Sequence, residues 1–147
     1  MNVKLILALI GIFFAAPAFA DNENSKQCFH LNAESERDVG YCQAVRINDT
    51  LHVSGSVGLG EMPGAIRMAY DKLTATLQAH GLDWSHVVKE TVFATDLEAF
   101  IANKSIRNAY YADDYPAATW VQVDRLYLPS FVVEVEITAQ FPEHVEK

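Results

Sequence analysis

Along residues 131–141 apolar and polar side chains alternate. Val133, Val135, Ile137, Ala139 and Phe141 fall on one face, and Glu134, Glu136, Thr138 and Gln140 on the other. A period of two marks a half-buried strand. The same reasoning predicts a hairpin from Cys42 to Ile47 and Leu51 to Ser54. It turns at Asn48-Asp49, residues that tolerate the positive φ of tight turns. Between Ala65 and His80 the period changes: Ile66, Ala69, Tyr70, Leu73 and Leu77 form one helical stripe, with Gly81 placed as an αL cap. Val87 to Ala94 reads as a strand. Leu97 to about Ala112 reads as a second helix N-capped by Thr95 or Asp96. Thr119 to Leu126 is a further strand, and Gly55 to Gly64, rich in Gly and Pro, is a loop. The order β-β-α-β-α-β-β predicts an α+β domain, a single mixed sheet with both helices on one face. The other face must meet solvent or another subunit.

The N-terminus obeys a different pattern. Lys4, the apolar run Leu5 to Ala16 and the small-x-small tripeptide Ala18-Phe19-Ala20 compose a secretory signal peptide over residues 1–20. The run is short of the roughly 20 apolar residues of a spanning helix. A polar arm over 21–38 and a single domain over 39–147 follow. Periplasmic or secreted localisation, with no membrane attachment after cleavage, is the expectation.

Charge narrows the partners. With 19 acidic and 11 basic residues the net charge is −8 and no basic run exists. Phosphate-backbone binding needs clustered Lys and Arg, so nucleic acid is not an expected partner. Cys28 and Cys42 form an even pair, which in an oxidising compartment favours a disulfide; two free, partly buried thiols are the alternative. His30, His52, His80, His86 and His144 lack zinc spacing, so no metal and no cofactor is expected.

Short motifs add what periodicity does not. They are Gly40-Tyr41-Cys42-Gln43-Ala44, Ser54-Gly55, Gly81-Leu82, and Val87-Val88-Lys89 with Thr91-Val92-Phe93. Asp96-Leu97 with Phe100, Pro116-Ala117, and Glu134-Val135-Glu136-Ile137 with Ala139 follow in order. Together they resemble the RidA/YjgF family of enamine and imine deaminases over about a hundred residues. The resemblance implies a chorismate-mutase-like fold, a homotrimer, and clefts between subunits that hold a small-molecule ligand. Carried over by position, the cleft comprises Tyr41, Ser54, Gly55, Phe93, Ala118, Trp120 and Glu134. Glu134 orients the attacking water, and Tyr41 packs on or bonds to the substrate.

One departure falls at the chemistry. Where deaminating members read Pro-Ala-Arg-Ser, this chain reads Pro116-Ala117-Ala118-Thr119. The family arginine holds the substrate carboxylate in a bidentate pair that alanine cannot make. Trp120 is large and is expected to occupy substrate volume. Arg125 is not assumed to replace the lost group, and Arg67 and Arg107, on helices, are expected to be solvated. Three functions remain open. One is binding of a small metabolite without the usual deamination. Another is hydrolysis of an imine or enamine that lacks a carboxylate. The third is a non-catalytic, chaperone-like trimer.

Overall fold

A computed structural model describes residues 25–142. The signal-peptide segment and His144 lie outside the described residues. Six strands form one sheet: β1 (Gln27–Phe29), β2 (Ala44–Ile47), β3 (Thr50–Leu59), β4 (Val87–Ala94), β5 (Ala117–Gln122) and β6 (Phe131–Gln140). Their spatial order is β1-β2-β3-β6-β4-β5, antiparallel throughout except for the parallel β4–β5 pair. The helices are α1 (Ala33–Val39), α2 (Met62–Ala79), α3 (Leu97–Ala102) and α4 (Lys104–Tyr111). A 3₁₀ turn, Trp84–His86, leads into β4.

The hydrophobic pattern is realised as burial. Ile66, Ala69, Tyr70, Leu73 and Leu77 of α2 pack on Val133, Val135, Ile137 and Ala139 of β6 and Leu51 and Val53 of β3. Burying each large apolar side chain contributes about 1.5–3 kcal/mol. Asn48 turns the β2–β3 hairpin at φ 54°, and Gly81 adopts φ 70° just past α2. Asp96 caps α3 by accepting from the Ala99 amide. The opposite sheet face carries His52, Lys89, Thr91, Glu136 and Thr138, and no helix of the described residues covers it.

Four expectations are corrected. Within 21–38, read as a polar arm, lie β1, which joins the sheet edge, and all but the last residue of α1. The disulfide between Cys28 and Cys42, whose Cα atoms are 5.6 Å apart, ties β1 to the segment before β2. The stretch 55–59, read as loop, is strand. There Gly55 and Gly58 permit close approach rather than breaking structure: a Cβ at 58 would overlap the Ala65 backbone. The register slips between Val53 and Ser56, a bulge that bends β3. The second helix divides at Asn103, whose side-chain amide donates to the Ala99 carbonyl and closes α3 before α4 begins. β5 runs from Ala117 to Gln122 rather than from Thr119 to Leu126.

Candidate functional site

β2 begins only at Ala44, so among the described residues β3 has no partner strand on that side past the Ser54–Gln43 bond. A cavity of about 400 Å³ opens there. Its floor is Ser54, Gly55 and Val57 of β3 with Glu134 of β6, which pairs with Val57. Tyr41 enters from the segment before β2, and Ser35 and Val39 of α1 form one wall. Tyr127, Leu128 and Phe131 form another, and Lys72 reaches in from α2. The lining is therefore largely apolar, with one carboxylate, one ammonium and a few hydroxyls.

Local structure sets each group. A Cβ on residue 55 would overlap the Glu134 carboxylate, so glycine is what lets that carboxylate lie on the β3 backbone. Ser54 is pinned by its hydroxyl donating to the Cys42 carbonyl at 2.7 Å, and its amide donates to the Gln43 carbonyl. Among the described residues neither a histidine nor an acid bonds the Ser54 hydroxyl. Tyr41 is fixed through its amide, which donates to the Glu36 carbonyl. Glu36, itself buried, accepts from the Asn32 amide and pairs with His30 at 2.9 Å. The disulfide next to Tyr41 ties this whole segment to β1. Cys28, His30 and Cys42 bring possible ligand atoms close together, but both sulfurs are committed to the disulfide.

Glu134 is half-buried and accepts no hydrogen bond from the described residues. Burial, with Glu136 nearby, raises its pKa above the ordinary glutamate value, and Lys72 opposes the shift. Tyr41 is likewise raised, by burial first and then by Glu36 and Glu134. A carboxylate in a partly dry cavity with unfilled lone pairs can accept a proton from water.

The other three predicted cleft residues do not line this cavity. Phe93 pairs with Glu134 across β4–β6, one strand away. Ala118 and Trp120 are on β5, beyond β4. Trp120 turns toward the helices, packs edge-on against Phe100 at 5.1 Å and donates its indole N–H to Glu90 at 3.2 Å. It does not fill the Tyr41–Glu134 cavity.

Arg107, expected in solvent, is 4% exposed. Its guanidinium donates from Nε and Nη2 to Glu90 Oε2 at 3.0 and 2.8 Å. Tyr70 and Tyr111 donate to Glu90 Oε1 at 2.6 and 2.8 Å. Burial and the facing Glu90 push both phenols far above the ordinary tyrosine value. For Arg107, burial alone would lower the pKa; its bonds to the Glu90 carboxylate and that group's charge outweigh it and raise it. Ala118 is the Cα partner of Glu90 in the β4–β5 ladder. The position that lost its arginine thus adjoins a carboxylate already bound to another one.

Sequence reasoning missed Ser35, Val39, Val57, Lys72, Tyr127, Leu128 and Phe131. α1 was hidden in a polar stretch, and Lys72 lies on the helix face that periodicity assigns to solvent.

This α+β fold, one mixed sheet with helices on one face, is shared with known proteins. The family model described as Endoribonuclease L-PSP matches residues 33–141. The chain belongs to that family, the RidA/YjgF family. It is 34% identical over 112 residues to the RutC family protein YjgH of Escherichia coli, covering 70% of this chain and 84% of that one. It is 34% identical over 111 residues to the 2-iminobutanoate/2-iminopropanoate deaminase of Mus musculus, covering 69% and 82%. A solved structure of a YjgF/YER057c/UK114 family member from Mycobacterium tuberculosis matches with a TM-score of 0.72 at 26% identity, over 79% of this chain and 99% of that one.

Proposed function

We propose that this chain binds a small imine- or enamine-bearing metabolite in the Tyr41–Glu134 cavity, within clefts completed by neighbouring copies of a homotrimer. In this reading arginine-anchored turnover of 2-imino acids is lost. The observation that carries it is the convergence of Tyr41, Ser54, Gly55 and Glu134 on one cavity while position 118 is alanine. Relatives named as deaminases supply the chemistry of the ligand. The disulfide fits an oxidising compartment, and hence export to the periplasm or beyond.

Glu134, half-buried and without a hydrogen-bond donor, favours a second reading in which the bound imine is hydrolysed. Glu134 takes a proton from water as the water oxygen bonds to the imine carbon, and the C=N π electrons go to nitrogen. Glu134 returns that proton to nitrogen, giving a carbinolamine; the hydroxyl proton then passes through Glu134 to nitrogen as the C=O bond forms and the C–N bond breaks, leaving a carbonyl compound and ammonia.

The test is hydrolysis of 2-aminoacrylate, generated by a coupled dehydratase, with the mature protein and a 2-iminobutanoate/2-iminopropanoate deaminase side by side. Turnover at least about tenfold below the deaminase is expected, since a charge-assisted pair contributes on the order of 1.5–3 kcal/mol. Equal turnover would show that position 118 does not govern the activity. Any turnover that survives Glu134→Gln unchanged would remove the second reading.

A further inference from the structure

The lost arginine raises a question of charge: which cation, if any, faces a ligand in this cavity. Most candidates are committed elsewhere. Arg107 is bound to Glu90 inside the core. Arg46 lies over the Phe141 ring and donates to the Asn48 carbonyl. Arg67 donates to Pro63, Arg125 to Tyr127 and Lys89 to Thr119. Lys26 and Arg37 line a neighbouring cavity that shares Tyr41 and Ser54, and among the described basic residues Lys72 is the one that lines the Tyr41–Glu134 cavity itself.

Its surroundings are unusual for a lysine in an acidic chain. It is half-buried, and its ammonium makes no hydrogen bond or ion pair among the described residues; its electrostatic partner is Glu134, at the same cavity. The rest of the lining sets apolar Val39, Val57, Leu128 and Phe131 beside the hydroxyls of Ser35, Tyr41, Ser54 and Tyr127 and the Glu134 carboxylate, and none of these bonds the ammonium among the described residues. A partly desolvated cation beside apolar walls favours a counter-anion that brings its own apolar body.

We propose that Lys72 is the specificity-determining cation of this cavity, and that the ligand is a small organic anion with an apolar body. The anion meets the Lys72 ammonium, and the body lies against Phe131 and Leu128. The inference rests on the cavity reading above and adds the ligand's charge. It also separates this site from an arginine-anchored one. An ammonium is a point charge on a flexible stem and accepts anions of several shapes, whereas a guanidinium fork selects a planar carboxylate in one orientation. Binding is retained, and orientation of the reacting carbon is weaker.

The test uses two probes of matched shape, phenylacetate and neutral phenylacetamide, titrated calorimetrically into the folded mature protein and its Lys72→Met and Lys72→Arg variants. Native protein is expected to prefer phenylacetate by about tenfold, the scale of one charge-assisted bond at a half-exposed site. Lys72→Met removes that preference while phenylacetamide still binds, and Lys72→Arg keeps it. Equal affinity for both probes in native protein, or an undiminished preference in a folded Lys72→Met, overturns the inference and leaves the cavity reading standing. Binding of neither probe to native protein overturns both.

Discussion

Two glutamates on neighbouring strands of the same sheet have opposite surroundings. Glu90 on β4 is fully buried and accepts from Tyr70, Tyr111, Trp120 and Arg107. Glu134 on β6 is half-buried and accepts from none of the described residues. A carboxylate whose lone pairs are all taken holds elements together: here α2, α4, β4 and β5. A carboxylate left without donors keeps its capacity for water or a ligand. The difference arises from strand phase. Glu90 falls on the helix-covered face with Val92, and Glu134 on the open face with Glu136.

The comparison breaks most visibly at Arg107. Arg107→Met leaves Glu90 buried without its cation and is expected to cost about 3–5 kcal/mol, read from the urea midpoint. A loss below about 1 kcal/mol would mean that Glu90 is neutral or hydrated and the network is not structural.

The cavity side carries its own stabilising device. Replacing Cys28 and Cys42 by serine opens the loop that holds β1 and α1, at a cost of about 3 kcal/mol in the chain-entropy account. If the doubly substituted protein melts where the oxidised one does, α1 is held by its own packing and the disulfide adds little.

Glu134→Gln should act in the opposite way to Arg107→Met. Stability changes by no more than about 0.5 kcal/mol, as for a substitution that removes no core contact. Any imine turnover falls about a hundredfold, the lower range for a general base. A large stability loss with turnover intact would reverse the roles assigned to the two glutamates.

Ala118→Arg sharpens the contrast further. The new side chain starts opposite Glu90, which Arg107 already holds, so 2-aminoacrylate turnover is expected to rise less than about tenfold. A full return of activity would show that the new guanidinium reaches a ligand despite Glu90.

The smallest effect is in pH dependence. Burial and Glu136 raise the pKa of Glu134, so the folded state holds the proton more tightly than the unfolded chain. Native protein is therefore expected to lose stability relative to Glu134→Gln as pH rises from the ordinary glutamate value through the raised one. Water activation by the ionised form is gained over the same interval. Melting curves of both proteins across mildly acidic pH check the sign; a difference that grows the other way would place Glu134 in a favourable ion pair.

Much of this was legible in the chain. Alternation in β6 and the α2 stripe announced the core because a period of two or 3.6 is a local property that burial then selects. The motifs carried Tyr41, Ser54, Gly55 and Glu134 to the site because each keeps a fixed local backbone. Ser54 is held by the Cys42 carbonyl, and Gly55 by the carboxylate lying over it. Periodicity misplaced Arg107, assigned to solvent although a glutamate 17 residues earlier buries it. It could not place Trp120, whose indole turns to Glu90 because β5 runs parallel to β4 in that particular register. Nor could it find Lys72, which lines a cavity formed where β2 begins only at Ala44 and leaves the second half of β3 unpaired on that side. The chain by itself determined the β2–β3 hairpin, α2, β4 and β6, and the four motif residues that meet at the cavity. Which carboxylate is saturated and which is left open was decided by the packing of segments distant in sequence, since hydrogen-bond partners are chosen by proximity in space.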